Sequence, residues 1–150
     1  MKVLMVCLGN ICRSPLAEGI LKSKVDATKI YVDSAGTGGY HIGNAPDPRS
    51  IKVAKAHGLD ISKQVCRKFN VSDFDAFDII YAMDKSNYTN ITNSARNKAD
   101  TEKVRLILNE ISPLNKEVPD PYHDAEDGFE NVYQMIDQAC NYIAARLEQY

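Results

Sequence analysis

Cys7 and Arg13 stand six positions apart in Cys7-Leu8-Gly9-Asn10-Ile11-Cys12-Arg13-Ser14, and this stretch is the most chemically suggestive part of the chain. A thiol near a helix N-terminus, ringed by amides and close to a guanidinium, is favoured as the thiolate at neutral pH. Arg13 offers a planar fork that matches two phosphate oxygens. A nucleophile and a phosphate clamp therefore share one short loop. Cleaving a phosphate monoester also requires a proton for the leaving oxygen, from an acid held close by. Asp120 is the candidate: Pro119 and Pro121 stiffen its backbone, and the ring of Tyr122 could line a crevice for a phenol. Taken alone, Asp120 is a turn residue in a Pro-rich loop; the Cys7 loop is what gives it a chemical reading.

Such groups must be delivered by the elements around them. Val3-Leu4-Met5-Val6 is an unalternated apolar run, which fits a strand covered on both faces, as in a parallel sheet. The loop then opens a helix with Pro15 at its first turn and Leu16, Ala17, Ile20, Leu21 and Val25 at helical spacing, to about Asp26 or Ala27. A strand running through a Gly-containing turn into a helix points amides and the helix dipole at one spot, where an anion can be held. Ile30-Tyr31-Val32 reads as a second strand, after which Asp33-Ser34-Ala35-Gly36-Thr37 leaves the sheet at the Cys7 end. Residues 36–46 form a Gly-rich surface loop that lacks the third glycine of a dinucleotide fingerprint, since His41 stands there.

Asp47 and Pro48 read as the cap and first position of a helix that stops at Gly58, with Arg49 on its solvated first turn and given no role. Lys63, Arg67 and Lys68 make a modest basic patch, solvated or suited to acidic phosphopeptides. A helical turn at 72–75, a strand over Phe77–Ala82, a helix over Lys85–Thr92 capped by Asp84, a polar loop over 90–100 and a strand over Lys103–Leu108 follow, then an irregular stretch to Pro119. The last helix carries Phe129, Val132, Tyr133, Ile136, Cys140, Ile143 and Leu147 on one stripe, with Asp127 and Glu130 as a capping box. Strands alternating with helices give an α/β fold: a single doubly wound domain over residues 1–150, with a four-stranded mainly parallel sheet and helices on both faces. Ligands in such sheets bind at the carboxyl ends of the strands, where the Cys7 loop and Asp120 both fall.

The stretch from Val6 to Glu18 resembles the signature of the low-molecular-weight protein tyrosine phosphatases almost letter for letter. Similar segments follow in the expected order at Asp33-Ser34-Ala35-Gly36-Thr37, Asp47-Pro48-Arg49, Met83-Asp84-Lys85-Ser86-Asn87 and Asp120-Pro121-Tyr122. The resemblance implies catalysis by Cys7, Arg13 and Asp120, with Asp120 as general acid and later as activator of water. It implies phosphate binding by the loop of Leu8, Gly9, Asn10, Ile11, Cys12, Arg13 and Ser14. Asn10 and Ser34 would hold the loop in shape, Ser14 would bond the thiolate, and Cys12 would form a reversible disulfide with Cys7 under oxidation. Tyr40, Tyr122 and His123 would line the substrate crevice. Members of the family commonly carry a second aromatic residue where His123 stands, so one crevice wall departs from the pattern.

The 18 Lys and Arg against 20 Asp and Glu leave a net charge of −2, which gives no pull toward nucleic acid or anionic membrane. No apolar run suits a membrane span or signal peptide, so a cytoplasmic location with reduced thiols is expected. His41, His57 and His123 have no ligand spacing, and neither metal nor cofactor is expected. The expected partners are phosphotyrosine-containing proteins, with inorganic phosphate or vanadate as inhibitors. Two other readings are arsenate reductase, which needs further paired cysteines where Cys66 and Cys140 stand alone, and a catalytically silent phosphate-binding module.

Overall fold

Val3, Leu4, Met5 and Val6 are wholly buried in β1 (Lys2–Cys7). Val3, Met5 and Cys7 enter one core and Leu4 and Val6 the other, so the unbroken apolar run is what a strand between two helical layers requires. Each such side chain contributes roughly 1.5–3 kcal/mol on burial. The computed structural model describes residues 1–148. Its other strands are β2 (Tyr31–Gly36), β3 (Ile79–Ala82) and β4 (Val104–Leu106). Its helices are α1 (Arg13–Lys22), α2 (Pro48–Ala56), α3 (Asp73–Ala76), α4 (Lys85–Thr92), α5 (Lys98–Glu102) and α6 (Glu126–Leu147). All strand pairs are parallel, in the order β2-β1-β3-β4. Residues of α1, α2 and α6 fill the first core, and Phe74 of α3 and Ile91 of α4 the second. The chain leaves β1 toward β2 on one side and later toward β3 and β4 on the other, which opens a crevice at the carboxyl end of β1.

Several boundaries differ from the expectations, each for a local reason. Helix α1 begins at Arg13 rather than Pro15 and stops at Lys22. Asp26 ends any continuation by accepting both the backbone N–H (2.9 Å) and the hydroxyl (2.7 Å) of Thr28 in an Asx turn. Residues 33–36 belong to β2 rather than leaving it, with Gly36 in register with Cys7. Within the expected loop at 90–100, Asn97 caps the short helix α5 by accepting the Asp100 N–H. Strand β4 ends at Leu106, and Ile107–Glu110 form a 3-10 turn that turns Ile107 and Leu108 into the α6 core. The capping box at the start of α6 does not form: Glu130 instead meets His57 Nε2 at 2.8 Å, and the His57 ring stacks on Tyr133 at 3.9 Å. Cys140 lies in the core, as its place on the apolar stripe predicts.

Candidate active site

The floor of the site is the turn between β1 and α1. Asn10 sits at its apex in the left-handed region, φ 56°, which an Asn tolerates better than most residues. Its buried amide organises the loop. Oδ1 accepts the Arg67 N–H at 2.9 Å, which leaves Nδ2 to donate to Ser14 Oγ at 2.8 Å and to Ser34 Oγ at 3.0 Å. Ser34 in turn donates to Glu18 at 2.7 Å, and Glu18 pairs with Lys22 at 2.6 Å. Because Ser14 Oγ accepts from Asn10, its own proton is free for a neighbour, and Cys7 Sγ lies 3.0 Å away against 3.5 Å for the Ala35 carbonyl. The loop packs so closely on β2 that a Cβ on Gly36 would stand 2.7 Å from Leu8 O and 3.0 Å from Asn10 N. Glycine is therefore required there.

Arg13 is buried, and its guanidinium is held from behind. Nη1 donates to Asp84 Oδ2 at 2.5 Å and to Val118 O at 3.0 Å, and Nη2 faces Asp120 Oδ2 at 3.7 Å. Burial works against its charge, but Cys7 and then Asp84 outweigh it, and Arg13 is held more firmly protonated than an ordinary arginine. Asp84 does two things at once: Oδ1 caps α4 by accepting the Asn87 N–H at 2.7 Å, and Oδ2 aims Arg13.

A cleft of about 230 Å³ stands over the floor. Cys7, Leu8, Gly9, Ile11, Cys12 and Arg13 line it from below, and Tyr40, His41, Asp120, Tyr122 and His123 from the rim. Asp120 is roughly half exposed and accepts the Tyr122 N–H at 3.0 Å. Tyr122 meets His123 edge to face, with ring centroids 5.0 Å apart. Tyr40 is 73 % exposed and leans over Gly38, where a Cβ would strike its ring at 2.4 Å. The chain thus brings Cys7, Arg13, Asp120, Tyr40, Tyr122 and His123 around one opening, with Asn10, Ser14 and Ser34 beneath it.

All four cysteines are free and buried. Burial, then Asp47 and Cys7, push the Cys12 thiol up to about 12. Cys66, raised to about 11 by burial and by Cys7, donates its S–H to the Asn10 carbonyl at 2.8 Å. Both are thiols at neutral pH. Among the described residues no three His, Cys, Asp or Glu side chains are grouped as a metal site would require.

Sequence reasoning missed five supports of this site. Asp84 reads as a helix cap, and Glu18 and Cys66 are given no part in the site. Arg67 is not a free member of a basic patch: it pairs with Asp33 and Asp73, both at 3.1 Å, and holds Asn10 through its backbone. Arg49 is not merely solvated either, because it binds Asp47 at 2.9 Å and lies over the Tyr122 and Phe129 rings. The Asp-x-Arg spacing at Asp47 and Arg49 was the available signal for the last.

A cysteine and a buried arginine closing a loop at the carboxyl edge of a parallel sheet, with an aspartate above, define an α/β protein whose thiol, guanidinium and carboxylate share one cleft. The chain belongs to the low molecular weight phosphotyrosine protein phosphatase family, whose model it matches over residues 2–150. It is 43 % identical over 149 residues to a low molecular weight phosphotyrosine protein phosphatase of Schizosaccharomyces pombe, covering 95 % of this chain and 94 % of that one. Among solved structures it is similar to a protein tyrosine phosphatase from Entamoeba histolytica with Hepes in its active site, at TM-score 0.92 and 38 % identity over 99 % of this chain and 97 % of that one. It is also similar to Vibrio vulnificus Wzb in complex with benzylphosphonate, at TM-score 0.87 and 30 % identity over 97 % of each chain. Among the described residues no helix is long and apolar enough to cross a membrane.

Proposed function

We propose that the protein hydrolyses phosphotyrosine in proteins, and aryl phosphate monoesters generally, without a metal, through a cysteinyl-phosphate intermediate. The observation that carries this reading is the convergence of Cys7, Arg13 and Asp120 on one cleft. In the first step the Cys7 thiolate attacks phosphorus, the phosphorus–oxygen bond to the phenol breaks, and Asp120 gives its proton to the leaving oxygen. Arg13 and the loop amides from Leu8 onward stabilise the charge on the transferring oxygens, the part a metal would otherwise take. In the second step Asp120 takes a proton from water as the water oxygen attacks phosphorus, the phosphorus–sulfur bond breaks to release inorganic phosphate, and Cys7 departs as thiolate with Ser14 donating to it.

The benzylphosphonate bound by the Vibrio vulnificus protein supports an aromatic phosphate analogue as the kind of group such a cleft admits. Here Tyr40 and Tyr122 flank the opening and suit an aryl ring. Inorganic phosphate and vanadate, lacking the ring but matching the cradle, act as inhibitors on this reading. Attack of the Cys7 thiolate on hydrogen peroxide, which breaks the O–O bond and releases hydroxide, would give the sulfenic acid, and condensation with the Cys12 thiol with loss of water would give a disulfide that a thiol reductant reverses.

The test is p-nitrophenyl phosphate hydrolysis by reduced protein in EDTA. Turnover should persist under chelation and fall by roughly 10⁴-fold or more in Cys7→Ser, while vanadate still binds. Measurable turnover by Cys7→Ser would remove the nucleophile assignment. An inactive natural protein would remove the proposal.

A further inference from the structure

We propose that Arg49 is a positioning residue for the proton donor, its guanidinium tying the Asp120–Asp124 segment to the phosphate loop. This rests on Asp120 acting as the general acid. The problem it solves is visible in the geometry. The floor of the site is buried and cross-linked, whereas Asp120 sits on an exposed rim segment more than a hundred residues further along the chain. Proton transfer in the transition state needs the acid within hydrogen-bond reach of the leaving oxygen, so this segment must be held in register with the floor.

The connection can be followed bond by bond. The start of α2 is fastened to the loop: Asp47 N–H donates to Ile11 O at 2.8 Å, and Ser50 Oγ to Cys12 O at 3.3 Å. Asp47 then grips Arg49 with both oxygens, Nε donating to Oδ1 at 3.0 Å and Nη2 to Oδ2 at 2.9 Å. Although burial opposes its charge, these bonds and the Arg49 backbone N–H at 2.8 Å keep Asp47 below the ordinary carboxylate range. The remaining nitrogen, Nη1, donates to Asp124 O at 3.3 Å. The guanidinium carbon stands 5.5 Å from the Tyr122 ring centre and 4.6 Å from that of Phe129, on the first turns of α6. The rim segment closes on itself, since Tyr122 N–H donates to Asp120 Oδ1 and Asp124 N–H to Pro121 O at 2.8 Å. One side chain therefore meets the turn that carries Asp120 at two points, the Tyr122 ring and the Asp124 carbonyl.

Only an arginine can do this. The two bonds to Asp47 use one edge of the planar fork, while its central carbon stands over the rings and its far nitrogen reaches Asp124. A lysine ammonium keeps the charge but has neither edge nor face. A surface Arg–Asp pair that merely supports the first turn of α2 would be worth little to stability and nothing to the choice of substrate.

The experiment compares Arg49→Met and Arg49→Lys with Asp120→Asn, using kcat/KM for phenyl phosphate, a poor leaving group, and p-nitrophenyl phosphate, a good one. Vanadate binding reports that the floor is intact in each folded variant. Arg49→Met should lose about tenfold on phenyl phosphate and less than about twofold on p-nitrophenyl phosphate, with vanadate affinity within about twofold of the natural protein. Arg49→Lys should recover little of the loss. In the Asp120→Asn background Arg49→Met should add no further leaving-group dependence, because the group it positions is gone. Should Arg49→Met fail to fold, Arg49→Lys carries the same comparison. Equal losses on both substrates in the Arg49 variants, with the selective loss kept in Asp120→Asn, overturn the positioning role alone. A full phenyl phosphate rate in Arg49→Lys overturns it as well. Equal losses in Asp120→Asn itself overturn the acid assignment, and the inference with it.

Discussion

The floor and the rim of the cleft are built by opposite means. The floor is one short stretch, Cys7 to Ser14, buried except at Leu8 and Gly9 and fixed by side chains with few alternatives: the Asn10 amide makes three hydrogen bonds and Gly36 leaves no room for a Cβ. The rim is gathered from residues 40–41 and 120–123, is largely exposed, and rests on ring contacts and one guanidinium. Phosphate is the same in every substrate and can be met by a rigid surface, whereas what is attached to phosphate differs and is met by the rim. The expected consequence is a division of effects: changes under the floor lower activity on all substrates alike, and changes on the rim alter the preference among them.

Asp84→Asn puts the largest strain on that division. It keeps the helix-capping oxygen and the size of the side chain but removes the charge 2.5 Å from Arg13 Nη1. The loss of an aimed charge at the transferring phosphoryl group should lower kcat/KM by about 30- to 100-fold. The fall should be equal for phenyl phosphate and p-nitrophenyl phosphate, because Arg13 acts on oxygens that both share. Steady-state kinetics on the two substrates checks this, and a loss confined to one would erase the boundary between floor and rim.

How legible each region is in the sequence follows from the same contrast. The floor could be read because strand, turn and helix are adjacent, so that Cys7 and Arg13 declare each other by spacing, while Asn10 and Ser14 were reached through the family resemblance. The sheet was legible through the apolar runs of its strands, and α6 through its stripe. The supports of the floor were hidden because they meet it only after folding. Asp84 lies 71 residues from Arg13 and Cys66 lies 56 from Asn10; Asp84 already has an adequate local explanation as a cap, and nothing near Cys66 in the sequence points to the loop. Arg49 was hidden twice over, since its helix turn looks solvated and its second partner is 75 residues away. The short helix α5 and the 3-10 turn after β4 were illegible for another reason: a five-residue helix carries too little periodicity, and Leu106-Ile107-Leu108 suits strand and turn equally.

The buried thiols against the floor give a pH test of its rigidity. Cys12 and Cys66 have folded values of about 12 and about 11 against an ordinary value of 9.0. The folded state therefore retains their protons more tightly than the unfolded one. Their contribution to stability is complete below about pH 9 and is lost as pH rises through the folded values, when the unfolded chain ionises first. The urea midpoint should decline steadily from about pH 9 to pH 12. A Cys12→Ser, Cys66→Ala double variant should show a shallower decline, with the slope that remains coming from Cys140 and Tyr81, which burial also raises. An unchanged slope would mean that the floor opens to water before these thiols titrate, and that it is less rigid than its hydrogen bonds suggest.

Tyr40→Ala should have the smallest effect and draws the boundary most finely. The ring is 73 % exposed, so its removal should change stability by no more than about 0.5 kcal/mol. A contact between two aromatic rings contributes roughly 0.5–1.5 kcal/mol, so kcat/KM for aryl phosphates should fall about 3- to 10-fold if the Tyr40 ring flanks the substrate ring. Inorganic phosphate has no ring to meet it, and its inhibition constant should stay within about twofold. The comparison separates two roles that the exposed position of Tyr40 permits. As a wall, the ring acts only on substrates with something to lean on it. As a prop, it would act through Gly38, whose N–H donates to Leu8 O at 2.8 Å, and weakening that tie would disturb the floor. Equal losses for aryl phosphates and inorganic phosphate would assign Tyr40 to the floor in spite of its exposure, since only the floor is shared by the two ligands.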